Sequence, residues 1–500
     1  MDMGKHRELF QDLLISILFG CILILLMRQF GAILYTQDST PYFLYPFSQS
    51  NNPFTSFQSH GGELTFFFQP YNIFLDLLLY SLQHIGLSIG WSETAWIFIT
   101  IFISNLGLLW MLRILSPNRV RPNLFAQVTA IALFWLNPFS ISVTLWHLLS
   151  WFIFQAMLPF VFVVAFLILE GDLKNHKIYF SLAILMFYSP GFYGPYSVVV
   201  STIYALVLIF LALRLVLNRD IRAFLVRLGM LSFSLTVNIY FSLSFILITH
   251  ATRTLSLNFL TGGTGSQTEL IQLLRYESIS TSFWHVLTLT GFLWLYDGRG
   301  AVAYVWFSQF WILLIGAVFV PLIFSTGSLA SKGEYSTKLK FLYAMSFVSI
   351  VISVGSNAPF GALNTFLLLL GGPFLVVSNG YYFLMQIYVL TITSVSYVML
   401  TMPSKSFSRT IKKMGQHLYQ LVHRSNRTLS YNVRKKAYLS VAVSIFSIIV
   451  IVTSTIPLAT SGSVMNHGPL EDSFNLPSSF TRLHDFFHEM VGDMNRLPPA

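Results

Sequence analysis

The chain has 500 residues, of which 10 % are charged and 55 % hydrophobic, with 16 % aromatic and a mean hydropathy of +0.67. Soluble domains carry roughly 25 % charged residues, so a water-soluble enzyme and a disordered chain are both excluded and the main solvent must be lipid. The formal net charge of +10 raises nucleic acid as a partner, but the placement of the charges argues against it. Nine of the 29 basic residues lie between Lys405 and Lys436, where there is no Asp or Glu. The positive-inside rule reads such a stretch as a cytoplasmic loop facing anionic head groups. Cys21 is the only cysteine, so no intrachain disulfide forms and the redox compartment stays open.

In chain order, Lys5 and Arg7 precede an apolar run from Leu9 to Leu34, which is too long for a signal-peptide core and predicts a retained first span with its N-terminus inside. Arg28 sits near the outer end of that run, where it can snorkel to the interface or hold an anion. A polar outer segment, residues 35–70, leads to two apolar stretches, Tyr71–Gly90 and Trp91–Leu112, followed by Arg113, Arg119 and Arg121. Keeping those arginines cytoplasmic requires one of the pair not to cross. The first, with Asp76, Gln83 and His84, is expected to lie in the outer interface.

Further spans are expected near Leu124–Leu145, Trp151–Leu169, Ile178–Ser189, Tyr196–Leu217 and Leu228–Thr249, with Lys174, Lys177, Arg219, Arg222 and Arg227 on the inner side. The Ile178–Ser189 run is short and precedes SPGFYGPY, which predicts a tilted or interrupted helix. Residues 250–281 form a second outer loop, and Phe283–Trp294 is too short to cross. A span near Val302–Phe324 then places Lys332, Lys338 and Lys340 inside, and Phe341–Gly355, Tyr381–Met402 and Tyr438–Leu458 follow. The expected fold is all-α and polytopic, with about eleven spans over residues 1–460 and an outer C-terminal tail, 461–500. Within the inner loop 403–437, Ile411, Met414, Leu418, Leu421 and Val422 recur at helical spacing among basic residues, as in an amphipathic surface helix. The sequon at Asn426 falls in the same loop and should stay unmodified.

Phosphate-binding loops, dinucleotide fingerprints, H-E-x-x-H and paired C-x-x-C motifs are all missing from the sequence. The polar residues concentrate instead in the outer loops. TQDSTPYFLYPFSQ presents Asp38, and SHGGELTFFFQP presents His60 and Glu63 beside two glycines. A carboxylate just above a span is suited to take a proton from a sugar hydroxyl while a lipid-phosphate donor approaches from the bilayer. Such a donor needs cations on the same side, and Arg253, Arg275 and Arg299 are there, with His250 and His285 near the interface.

The first span with its long outer loop, early Asp and interfacial helix resembles the GT-C class of membrane glycosyltransferases. More specifically, SFWHVLTLTGFLWLYDG at 282–298, GSNAPFGALNTFLLLLGGPFLVVSNGYYF at 355–383 and NLPSSFTRLHDFFHEM at 475–490 resemble stretches of the mycobacterial arabinofuranosyltransferase D family and uncharacterised archaeal relatives. The resemblance implies a GT-C fold and transfer of a sugar from a polyprenyl-phosphate donor to an extracytoplasmic glycan or glycolipid. It makes Asp38 the matching position for the catalytic base. His60 and Glu63 would support substrate binding, and Arg253, Arg275 and Arg299 would face the phosphate; no protein metal ligands are expected, and a divalent ion has no support in the sequence. Residues 379–383, Asn-Gly-Tyr-Tyr-Phe, depart from the family's pattern, in which a basic residue follows an aromatic. A transporter or flippase of lipid-linked sugars and a non-catalytic membrane scaffold are the alternatives. Either way the expected location is the cell membrane.

Overall fold

The computed structural model describes residues 3–26, 58–60, 63–65, 73–116, 124–135, 149–188, 195–251, 281–287 and 336–369, with isolated positions between 268 and 278. The helices are α1 (Met3–Leu26), α2 (Ile73–His84), α3 (Ile89–Leu115), α4 (Leu124–Trp135), α5 (Leu149–Glu170) and α6 (His176–Tyr188), then α7 (Pro195–Asn218), α8 (Ile221–Ala251), α9 (Phe283–Leu287), α10 (Ser336–Ser353) and α11 (Gly361–Leu369). One short antiparallel ladder, β1 (Gln58–His60) with β2 (Glu63–Thr65), lies in the connection from α1 to α2, and the described residues are otherwise all-helical. Four described helices, α1, α3, α5 and α7, are long and apolar enough to cross a membrane. The basic stretch 403–437, the spans expected at 302–324, 381–402 and 438–458, and the tail 461–500 lie outside the described residues.

Burial sorts the helices. Every residue of α5 from Phe152 to Leu169 is inside the protein, against 39 % of the apolar window of α1 and 33 % of that of α7. A helix apolar on all sides belongs at the centre of a bundle, whereas one-sided burial leaves the other side to lipid. The stripes on α1 show this division. Asp12, Ile15, Ser16, Phe19 and Leu23 face inward, while Phe10, Leu14, Ile17, Leu18, Ile22 and Leu25 face out at i+3 and i+4 spacing. Close approach is bought by glycine: a Cβ at Gly107 of α3 would meet the Phe160 ring of α5 at 2.7 Å, and one at Gly20 of α1 would meet Phe98 at 2.9 Å.

The direction of each helix follows from its partners. Arg113, in the last turn of α3, donates to Asp12 of α1 at 2.8 Å and lies 3.7 Å from Glu8. The two helices are therefore antiparallel, and residues 27–88 leave and return at one end of the bundle. With 12 residues, α2 is about 18 Å long and cannot cross roughly 30 Å of hydrocarbon. By contrast α5 runs parallel to α3: Trp96 packs edge-on against Phe152 near both N-termini, and Trp110 against Phe160 further along. The chain between them must cross, and α4 supplies part of that crossing, with the Trp135 indole donating to Asn105 at 2.9 Å.

A set of charges closes the end at which α3 and α5 stop, called basal here. Lys338 of α10 bonds the Ile114 carbonyl of α3 and pairs with the Glu170 carboxylate of α5. Arg214 of α7 donates to the Leu169 carbonyl at 3.0 Å, and Arg227 of α8 to the Glu170 carbonyl at 3.4 Å. These carbonyls lie in the last turns of α3 and α5, where intrahelical partners run out and the dipole favours cations. Gly171, at φ +79°, ends α5 with its N–H and that of Asp172 bonded back to Leu167, and Arg227 occupies the space that a side chain there would need. The start of α1, α6, α8 and α10 and the end of α3, α5 and α7 thus share the basal end. α10 begins at Ser336, five residues before the expected apolar run, because Lys338 and Lys340 are solvated or paired there while the apolar part begins at Phe341. α6 stops at Tyr188, just before the proline-bearing stretch.

Candidate functional site

At the other, distal end, α10 gives way to the chain Gly355-Ser356-Asn357-Ala358-Pro359-Phe360 before α11 begins. Gly355 adopts φ +61°, in the left-handed region that favours glycine, and a Cβ there would run into the Ser278 hydroxyl. That hydroxyl is buried; it donates to the Leu274 carbonyl at 2.5 Å and accepts from the Ser356 N–H at 2.8 Å. Asn357 donates through Nδ2 to the Ser278 carbonyl at 2.5 Å, and the Thr281 hydroxyl donates to the Val354 carbonyl at 3.2 Å. Asn364 of α11, wholly buried, bonds the Val351 and Gly355 carbonyls at 2.7 Å each and so satisfies orphan acceptors at the end of α10. A side chain at Gly361 would strike the Ser356 carbonyl. Leu274, Ser278 and Thr281 are in this way stitched to the α10–α11 link.

Around this stitched turn the exposed groups are of two kinds. Arg275 is exposed within the 274–278 turn that Ser278 closes. The Trp284 ring of α9 is also exposed, and Phe347 packs edge-on with Phe360 at 5.9 Å. Ala358 and Pro359, joined by a cis peptide, form the exposed apex. A guanidinium suits a phosphate, and an indole offers an apolar face to a sugar ring or lipid.

Of the residues singled out in the sequence, His60 and Glu63 are register partners across the β1–β2 ladder, and Arg275 stands beside the stitched turn. Asp38, Arg253 and Arg299 lie outside the described residues. The described residues contain no group of three or more His, Cys, Asp or Glu that could hold a metal ion. Sequence reasoning did not single out Ser278, Asn357 or Asn364. The available signal was polar residues at helix ends in a chain poor in them, since buried carbonyls there need donors. Comparison with known proteins adds no relative: no family model, no curated protein and no solved structure matches the chain.

Proposed function

We propose that the chain is a GT-C type membrane glycosyltransferase, moving a sugar from a polyprenyl-phosphate donor to a glycan or glycolipid on the outer face of the cell membrane, in the manner of arabinofuranosyltransferases. Asp38 is the general base. His60 and Glu63 contact donor or acceptor, and Arg253, Arg275 and Arg299 neutralise the donor phosphate.

The observation that carries this reading is the arrangement of connections at the distal end. The link from α1 to α3, which includes Asp38, His60 and Glu63, starts and finishes there. The link from α8 to α9, which includes Arg253 and Arg275, finishes there against Val354, and the segment after α9, which includes Arg299, starts there. A carboxylate base and a phosphate-binding cation have to meet at one reacting centre, and a shared end is the first requirement. Direct attack of the acceptor hydroxyl at the anomeric carbon would invert that carbon, expel the polyprenyl phosphate and leave the hydroxyl proton on Asp38.

A transporter of lipid-linked sugars would need polar groups lining a mid-depth path. Among the described residues the amides of Asn105 and Gln155 are buried, but Asn105 bonds Trp135 and makes a long 3.5 Å contact with the Ser16 carbonyl, and Gln155 bonds the Phe134 carbonyl at 3.3 Å. These amides tie helices together and so favour the transferase reading.

The test is turnover in nanodiscs with a panel of polyprenyl-phosphate sugars. Asp38→Asn is expected to lower transfer by on the order of a hundredfold or more, the size of a general-base contribution, with donor binding kept. Transfer at the wild-type rate by that variant overturns the assignment.

A further inference from the structure

The hairpin between α7 and α8 carries four arginines, and only two of them serve the fold. Arg214 and Arg227 bond the carbonyls that end α5. Arg219 and Arg222 are exposed, and their side chains have no partner among the described residues. The one acid of the hairpin, Asp220, is occupied as the cap of α8, accepting from the Ala223 N–H at 3.0 Å. Arg219 also holds a left-handed backbone, φ 56°, directly after the last residue of α7, a place where glycine would sit without strain. A strained residue with an idle charge points to a use outside the fold.

The surroundings indicate the use. Just before the turn, Val216 and Leu217 of α7 are 75 % and 80 % exposed, and Leu213 lies one turn further back. Just after it, Ile221 and Leu225 of α8 form a second exposed apolar stripe. Such stripes would be costly in water and are at home against acyl chains. The neighbouring α5–α6 turn is tied to this hairpin through Arg227, and the first turn of α6 after it carries interfacial anchors: Lys177 lies 5.3 Å from the Trp110 ring, and the exposed Tyr179 donates its hydroxyl to the Leu173 carbonyl at 3.0 Å. Aromatic and basic side chains of this kind collect at head-group level.

We propose that the α7–α8 hairpin is a binding site for an anionic phospholipid of the leaflet at the basal end, with Arg219 and Arg222 on its phosphate and its acyl chains along Leu213, Leu217, Ile221 and Leu225. The excess of positive charge selects an anionic over a zwitterionic head group, and the apolar stripes exclude free phosphate as the ligand. The site is independent of any sugar transfer at the distal end, so the two assignments stand or fall separately.

Native mass spectrometry of the full chain, released from mild detergent with phosphatidylglycerol or phosphatidylcholine, tests the site. The wild type is expected to retain phosphatidylglycerol preferentially. The double variant Arg219→Gly, Arg222→Gln keeps the turn geometry and should bind it roughly thirtyfold more weakly, about fivefold for each basic residue lost at an anionic surface. Lys412→Gln with Lys413→Gln, in the other basic stretch, should leave the strongly bound lipid in place. Equal retention of the two lipids, unchanged binding by the arginine double variant, or an equal loss in the lysine variant each overturns the proposal. Should the arginine variant not fold, salt decides: retention by the wild type must fall between about 0.1 M and about 0.5 M salt as screening sets in, and salt-independent retention overturns the site.

Discussion

Asp12 is an acidic residue in the inward stripe of α1, 1 % exposed, and it persists because Arg113 brings a guanidinium to 2.8 Å. Removing one partner of such a pair strands the other in a poor solvent, which is worse than never having had either. Asp12→Ala is expected to destabilise the protein by about 2–3 kcal/mol, below the range for fully buried pairs because Arg113 retains Glu8. A thermal melt in detergent checks this, and Glu8→Ala should shift the melt far less, its side chain being 44 % exposed. At the distal end the sensitive residue is Gly355. Gly355→Ala forces a left-handed alanine and pushes the Ser278 hydroxyl away from Leu274 and Ser356, so a loss of about 2–4 kcal/mol is expected. Limited proteolysis within residues 252–280 should accelerate with it, whereas Ser278→Ala, which removes the same bonds without the clash, should produce a milder version of both effects.

Among elements, the decisive relation is that of α1 to α3. Because Asp12 and Arg113 meet, the link between α1 and α3 begins and ends at one end of the bundle, and α2 packs beside α3. In a Cys21→Ser background, Asn51→Cys and Ser88→Cys are expected to react with an impermeant thiol reagent from one face of sealed, oriented vesicles, and Lys174→Cys from the other. Reaction of the first two from opposite faces would mean that α2 belongs to a crossing segment. The apolar runs of the sequence located α3, α5, α7 and α10 to within a few residues, since a 3.6-residue helix in lipid has to be apolar for its whole length. The same runs could not rank them. α5 at the centre and α7 at the rim are similarly apolar, and only the neighbours tell them apart.

For the whole molecule, the two ends of the bundle differ in chemistry. The basal end is built from ion pairs and cation-capped carbonyls, whereas the distal end is a stitched neutral turn with Arg275 and Trp284 exposed beside it. The basic connections that the charge rule grouped on one side, residues 113–121, 174–177, 219–227 and 332–340, lead into or out of the basal end. Replacing Lys338 by Met should therefore loosen α10 from α3 and α5 together, by about 1–3 kcal/mol, since it removes both the pair with Glu170 and the bond to the Ile114 carbonyl. Hydrogen exchange would show the effect as faster exchange in the last turns of α3 and α5 and the first turn of α10. No change at α3 would mean that the Ile114 contact contributes nothing.

Composition alone predicted long apolar helices, and four described helices are long and apolar enough to cross a membrane, because a backbone in hydrocarbon must satisfy its own hydrogen bonds and local apolar length is written residue by residue. Which helices touch was not legible, because those contacts join Arg113 to a residue 101 positions away and Lys338 to one 224 positions away. The candidate site divides in the same manner. Arg275 drew attention as a cation in a polar outer segment, but the turn beside it depends on Ser278, whose hydroxyl meets the Ser356 N–H only once Ser278 and Thr281 have been brought beside the end of α10, and on Asn364, whose amide reaches the Val351 and Gly355 carbonyls only once α11 has folded back on α10. A lone serine or asparagine in a sequence carries no sign of the carbonyl it will satisfy; burial creates that demand, and burial is a property of the packed bundle.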